Sequence, residues 1–441
     1  MTIKNKPTLA IVSTYDELCG IAGYTKALIP ILSQYFTITV FDLDQFVFKH
    51  PSRTIQRLAD KEIARICKSI KLFDCVNIQL EHGTFGNSAK TIFRRLSSVI
   101  CSCKNICVTF HTIFPSEKFT LIDFFGNFKK NGFSAALGAY KSHKRSEILG
   151  DGFFNLLKKQ QSKRNLSVIV HTGRDAKMLK IVYKLENIYD HPLSYFKSSQ
   201  VDSIYEDLPS HKFSQLKSVS NDAVILGCFG FLSSYKGINT AIKAVNLLPK
   251  NYHLAIFGGV HPSSIRKNQL IDPFVAELLE EISPGKKILD AFNITGINLS
   301  LKVSNQELLD LAEQVHPSDL SSRVHFMGSL SDEDFPIAIA SCDTVLLPYV
   351  EVGQSSSGPM SLAVDLRRHI IAGRTKAFIQ YSRYHKSRYK MFDVGNFLEL
   401  SQLILAESVK SPMLYPPPLF DGETNQVTYV KALFQNQEGM L

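Results

Sequence analysis

Short apolar runs alternate with amphipathic stretches along most of the chain. Leu9–Ser13, Thr37–Phe41, Cys75–Leu80, Ile106–Phe110 and Ser167–His171 have the length and apolar density of strands buried on both faces. Between them, Tyr24–Gln34, Ile55–Ile70 and Arg174–Leu185 carry apolar residues at helical spacing. Strands alternating with helices predict a parallel sheet covered on both sides. A polar stretch from Ser198 to Asp222, containing Pro209, reads as a linker. The alternation then resumes with Ala223–Phe229, a helix over Lys236–Leu248 and a strand at His253–Phe257. Helices near Pro273–Ile282 and Asn305–Val315 follow, then strands at Arg323–Phe326, Thr344–Leu347 and His369–Ala372. The pattern predicts two Rossmann-like, doubly wound α/β domains, residues 1–200 and 223–405, joined by a linker over 201–222. Residues 406–441, containing Pro and Gln, are expected to form an arm or a tail. Two such halves imply a central cleft, and each binds ligands at the carboxyl ends of its strands.

Length and composition agree with this division. At 441 residues the chain exceeds the size at which one core usually stops growing. No uninterrupted apolar stretch approaches the roughly 18 residues needed to cross a membrane. The start, Met-Thr-Ile-Lys-Asn-Lys-Pro, has no secretory pattern, so a cytoplasmic protein is expected. Eight cysteines are scattered, several in apolar runs. Cys101, Cys103 and Cys107 form the single cluster and lack a second pair at zinc-site spacing, so reduced thiols and no metal are expected.

The net charge of +10 suggests an anionic partner. Between Phe114 and Asn165 ten Lys or Arg face four Asp or Glu, with eight phenylalanines among them. Phe124-Phe125-Gly126-Asn127-Phe128-Lys129-Lys130 and Phe153-Phe154-Asn155-Leu156-Leu157-Lys158-Lys159 interleave rings with cations. This basic aromatic insertion, 114–165, suits an anionic membrane surface, peripheral at the inner face. It equally suits core-packing helices with solvated lysines. No recognition motif accompanies the charge, so nucleic acid is not expected.

Candidate chemistry gathers where strands end. Leu346 to Pro359 follows a buried strand and precedes a helix-compatible stretch, Met360 to Arg367. There Glu351 leads into Gly353, Gln354, Ser355, Ser356, Ser357 and Gly358. A glycine- and serine-rich turn at a helix start offers N–H groups and a helix dipole to anionic oxygens; a serine helix cap is the simpler account. Gly230 to Ile238 follows another strand and places Lys236 at a helix start. A lysine there opposes the dipole, which makes sense if it neutralises a phosphate. After the first strand come Asp16, Gly20, Gly23 and Tyr24, whose glycines permit close backbone approach. Glu81 and His82 follow the third strand and His111 follows the fourth.

Taken together, these residues resemble the retaining nucleotide-sugar glycosyltransferases with two Rossmann-like domains facing a cleft (the GT-B type), in particular family 4. The likeness runs from about Leu9 to Phe378 and is strongest in Gly230–Ile238 and Leu347–Phe378. It implies a nucleoside diphosphate sugar as donor, a glycan or lipid-linked glycan as acceptor, and no cofactor. Lys236 stands where the family grips the donor diphosphate, aided by Gly230 and the turn from Gln354 to Gly358. Glu351 stands where the family's Glu-x7-Glu element contacts the donor sugar. Gly20 and Gly23 line the diphosphate and acceptor side with Asp16, Glu81 and His82, and His111 approaches the transferred sugar. Two positions depart from the pattern. Pro359 replaces the second glutamate, and Phe231 replaces the usual arginine of the Gly-Arg-Leu turn. A non-catalytic partner subunit, a nucleotide-sugar epimerase and a phosphorylase are alternatives on the same fold.

Overall fold

The alternation read from the sequence produces two six-stranded sheets in which every pairing is parallel. This computed structural model describes residues 6–17, 19–113, 120–208, 222–260, 271–283, 319–353, 356–386, 388–407 and 414–434. The chain divides into one unit of Met1–Phe196 with Phe420–Leu441 and a second of Lys197–Leu419.

The first unit has strands β1 (Thr8–Ser13), β2 (Thr37–Asp42), β3 (Cys75–Leu80), β4 (Asn105–Phe110), β5 (Asn165–Val170) and β6 (Ile188–Asp190). Their spatial order is β2-β1-β3-β4-β5-β6. Its helices include α1 (Gly20–Leu32), α2 (Gln45–Lys49), α3 (Arg53–Ser69), α4 (Ala89–Ile100), α5 (Leu121–Glu147), α6 (Phe153–Gln161) and α7 (Gly173–Ile181). Apolar side chains of β1, β3, β4 and β5 pack against α3, α4 and α6 in one cluster holding Ile78, Val108, Leu96 and Leu157. Buried Arg95 on α4 stays soluble in that interior because every arm is engaged. It donates to Asp60, to the Phe85 carbonyl and to Gln56.

The second unit begins with α8 (Ser198–Asp207) and has strands β7 (Val224–Phe229), β8 (Tyr252–Phe257), β9 (Val324–Gly328), β10 (Thr344–Leu347), β11 (His369–Gly373) and β12 (Lys390–Phe392). Their order is β12-β11-β10-β7-β8-β9. Its other described helices are α9 (Ile238–Asn246), α10 (Pro273–Ile282), α11 (Asp334–Ala340), α12 (Gly358–Asp365), α13 (Lys376–Tyr381) and α14 (Phe397–Glu407). Leu226, Ile256, Leu346 and Ile371 from the sheet meet Ile242, Val245 and Leu400 from the helices.

Four expectations change or are narrowed. The supposed linker starts as α8, and its Tyr205 hydroxyl donates to the Leu366 carbonyl while Asp202 pairs with Arg367. Those contacts make 198–207 part of the second unit; residues 209–221 lie outside the described residues, as does the helix expected at Asn305–Val315. Within 406–441, expected as an arm or a tail, α15 (Gly422–Phe434) docks on the first unit and buries Tyr429, Val430 and Leu433. In the basic aromatic stretch, Phe153, Phe154 and Leu157 are core residues with no exposure, so that half does not face a membrane. Finally, β6 and β12 were not expected. Each has three residues at a sheet edge, too short to show a period.

Candidate functional site

The two sheet orders place the crevices before any side chain is considered. Ligands of open α/β sheets bind beyond the strand carboxyl ends where the winding direction reverses. In the second unit that reversal falls between β7 and β10. Here lie the Gly230–Gly237 turn and the stretch after Leu347, the two segments singled out in the sequence.

The turn after β7 is built by glycines. Gly230 has φ of 104°, and a Cβ there would come within 3.1 Å of the Lys236 Cε and Nζ atoms. A short 310 helix, Ser234–Lys236, follows and is closed by Gly237 in the left-handed region. Lys236 is only 8% exposed. Its Nζ donates to the Tyr349 hydroxyl and lies 4.0 Å from the centre of that ring. Burial pushes the Lys236 ammonium down to about 7, because no carboxylate among the described residues offsets its lost hydration.

Glu351 is exposed beside this group. One carboxylate oxygen accepts from the Gly353 N–H at 2.9 Å, the other from the Lys376 N–H at the start of α13 at 2.7 Å. Two backbone bonds fix the carboxylate and leave further lone pairs for ligand hydroxyls. Ser357 caps α12, its Oγ accepting from Met360 N at 3.4 Å. Its hydroxyl thus caps the helix, as the simpler account expects for this side chain. Ser356 is half-buried and Gly358 opens α12; Gln354 and Ser355 lie outside the described residues.

In the first unit the reversal falls between β1 and β3. The loop after β1 carries exposed Asp16, and Gly20 opens α1 with Gly23 in its first turn. A Cβ on Gly20 would meet nothing within 4 Å, so packing does not demand glycine there. Glu81, at the end of β3, accepts from the Thr112 hydroxyl at 2.7 Å, and burial raises its carboxyl above the usual range. His82 does not join the acceptor side. It is fully buried against Phe110 and Phe153, and desolvation lowers its imidazole to about 4. The apolar residues that follow it in space, Phe153 above all, decide this placement, and strand-end position alone did not show them.

His111 follows β4 with its ring edge-on to Tyr24, centroids 5.4 Å apart, and 5.1 Å from His171. His171 directly follows β5 and His191 directly follows β6, so three neighbouring strands are each followed at once by histidine. His171 donates Nδ1–H to the His191 carbonyl at 3.1 Å; burial holds both imidazoles near 4. Both are therefore neutral at physiological pH, and burial and His171 push the His111 imidazole down as well. His171 was available to sequence reasoning, since it occupies in β5 the place His111 occupies in β4. The part Tyr349 plays was not, because it comes from Lys236, distant in sequence.

No family model and no curated protein matches the sequence. Solved structures share the fold at low identity. HepE of Anabaena, solved with UDP and glucose, aligns with a TM-score of 0.52 at 14% identity, over 98% of each chain. Sucrose-phosphate synthase of Thermosynechococcus elongatus gives 0.54 at 13%, over 99% of this chain and 96% of that one. A UDP-forming α,α-trehalose-phosphate synthase of Burkholderia xenovorans gives 0.53 at 9%, over 97% and 96%. The fold is thus the two-sheet α/β architecture of GT-B glycosyltransferases.

Proposed function

We propose that the chain is a glycosyltransferase that moves a sugar from a nucleoside diphosphate to a glycan or lipid-linked glycan acceptor, as a divergent relative of family 4. The observation that carries this reading is Lys236, a buried ammonium with no carboxylate partner among the described residues, at the winding reversal of the second unit. The departing diphosphate needs such preorganised positive charge. Glu351, fixed by two N–H groups, orients the hydroxyls of the transferred sugar. In the first unit the Gly20–Gly23 turn and His111 are assigned to the sugar and the acceptor, with Asp16 and Glu81 at the acceptor side. Under a retaining mechanism the leaving phosphate takes the acceptor proton, so no strong general base is required. That UDP and glucose occupy HepE supports a uridine donor over other bases.

Calorimetric titration with a panel of nucleoside diphosphate sugars tests the reading. Saturable binding of at least one is expected, and binding of none removes the enzyme hypothesis in favour of a non-catalytic partner subunit. With a binding donor in hand, Glu351→Gln is expected to lower the transfer rate by about 100-fold or more while the fold survives, since one N–H would then face an amide NH2 instead of an oxygen. Full activity in that variant would remove Glu351 from the site.

The second proposal concerns α5, which is interrupted at Gly132. Ile122, Phe125, Phe128 and Phe133 are exposed along it, and Lys129, Lys141, Lys144 and Arg145 are exposed with them. No described helix is long and apolar enough to cross a membrane. An anionic lipid surface accommodates exposed rings among cations, each cation contributing about 1 kcal/mol. Vesicles with anionic lipid are expected to sediment the protein, and Phe125→Ser with Phe128→Ser to weaken this by about tenfold or more. Equal sedimentation by neutral vesicles, or by the double variant, would dispose of the membrane role.

A further inference from the structure

The protonation pattern of His111 can be read off a chain of buried hydrogen bonds that starts at a backbone carbonyl. The Cys107 carbonyl can only accept. Asn77 Nδ2 bonds it at 3.2 Å, which fixes that amide and makes Asn77 Oδ1 an acceptor. Gln79 Nε2 therefore donates to Asn77 Oδ1, at 2.6 Å, and also to the Tyr429 hydroxyl of α15, at 3.1 Å. Turning the Gln79 amide over would set two acceptor oxygens against each other at the first of these contacts. Gln79 Oε1 is thus left to face His111 Nε2 at 2.8 Å, and an oxygen that only accepts demands that Nε2 carry the proton.

We propose that Gln79 is a positioning residue that holds His111 as the Nε2–H tautomer, so that Nδ1 presents a lone pair and takes a hydrogen bond from a ligand hydroxyl. Nδ1 has no partner among the described residues, and a neutral ring with its proton elsewhere repels a phosphate or carboxylate oxygen. The ring is kept uncharged by burial and by His171 beside it. The consequence is a specificity rule for this strand end: it takes a neutral group with a hydrogen to give, such as a sugar hydroxyl, and leaves the anionic part of the ligand to other residues. The sugar as ligand rests on the glycosyltransferase reading; the tautomer does not.

A long-range 1H–15N spectrum of the full chain labelled with 15N-histidine, without ligand at pH 7.5, reads the tautomer directly. The His111 signals are identified by their loss in His111→Asn. A protonated-type Nε2 and a lone-pair-type Nδ1 are expected. Protonation at Nδ1, or at both nitrogens, overturns the proposal whatever the protein's activity. In Gln79→Met, which keeps the bulk and removes the acceptor, the ring is expected to populate both tautomers. The transfer rate should then fall about tenfold or more, while affinity for the nucleoside diphosphate alone is unchanged. A single unaltered tautomer in that variant would also overturn the role of Gln79. If Gln79→Met does not fold, the wild-type spectrum decides alone; if no sugar is transferred by the wild type, the functional reading fails and the spectrum still stands.

Discussion

Lys236→Met is expected to raise the melting temperature of the unliganded protein and, in the same variant, to abolish affinity for nucleoside diphosphates. The ammonium is nearly fully buried and its offsets in the free protein are a phenol hydroxyl and two ring faces. Replacing an uncompensated buried charge by an apolar chain of similar length commonly stabilises by about 1–4 kcal/mol. Binding is expected to move the other way: under the proposed role of Lys236 at the donor diphosphate, its loss costs about 100-fold or more. The sign with pH follows from a folded pKa of about 7 against 10.5. Below pH 7 both states hold the proton and the folded protein bears the whole burial cost. Between 7 and 10.5 the unfolded chain still holds a proton that the folded one has released, so stability rises with pH. Diphosphate binding restores the counter-charge and keeps the proton on. Affinity is therefore flat below about pH 7 and falls by about tenfold per unit above it. Calorimetry in buffers of different ionisation enthalpy measures that uptake. Unchanged binding in Lys236→Met, or affinity flat up to pH 9, would take Lys236 out of the site.

Gly237→Ala should be the most damaging single-methyl change in the second unit. Gly237 sits at φ of 62°, and a Cβ there would lie 1.9 Å from the Pro348 carbonyl oxygen. The left-handed conformation alone costs a non-glycine residue about 1–2 kcal/mol. The clash adds more, because neither β10 nor the start of α9 can give way without parting the sheet from its helix. Total loss of several kcal/mol is expected, with Lys236 and Tyr349 displaced from each other. Gly20→Ala is the control. Its methyl would meet nothing within 4 Å, so unfolding by denaturant should be unchanged, yet transfer should fall if ligand passes over that turn. Native-like stability in Gly237→Ala would contradict the backbone contact.

Much of this was legible in the sequence because parallel strands buried on both faces announce themselves as apolar runs. Thr344–Leu347 and Pro273–Ile282 were placed as they occur. The position of Lys236 before α9 was legible too, and its burial there was not. The partners of these residues were not legible. Tyr349 reads as one more aromatic after a strand until the fold brings it against Lys236. β3 did carry a hint, since Asn77 and Gln79 alternate with apolar residues in a strand that is buried throughout. Polar side chains at that period need polar partners. Asn77 finds them on β4, in the Cys107 carbonyl and the Thr109 hydroxyl, while Gln79 reaches Tyr429 on α15, in a segment whose Pro and Gln content pointed towards an arm or a tail. His82 failed for the opposite reason: a polar residue at a strand end was covered by phenylalanines from another element.

The docking of α15 also sets the order in which the molecule can be finished during synthesis. Gln79 waits for Tyr429, 350 residues later. The hydroxyl of Ser167 waits for the Ala432 carbonyl, and the thiol of Cys75 for that of Leu433. A ribosome adding about 5–20 residues per second therefore leaves the first sheet with an uncapped polar face for tens of seconds. The second sheet, whose strands all lie within Lys197–Leu419, meets its partners sooner. The half of the protein that is made first is thus the half that is completed last, and its exposure to chaperones and proteases is set by the arrival of thirteen residues near the end of the chain.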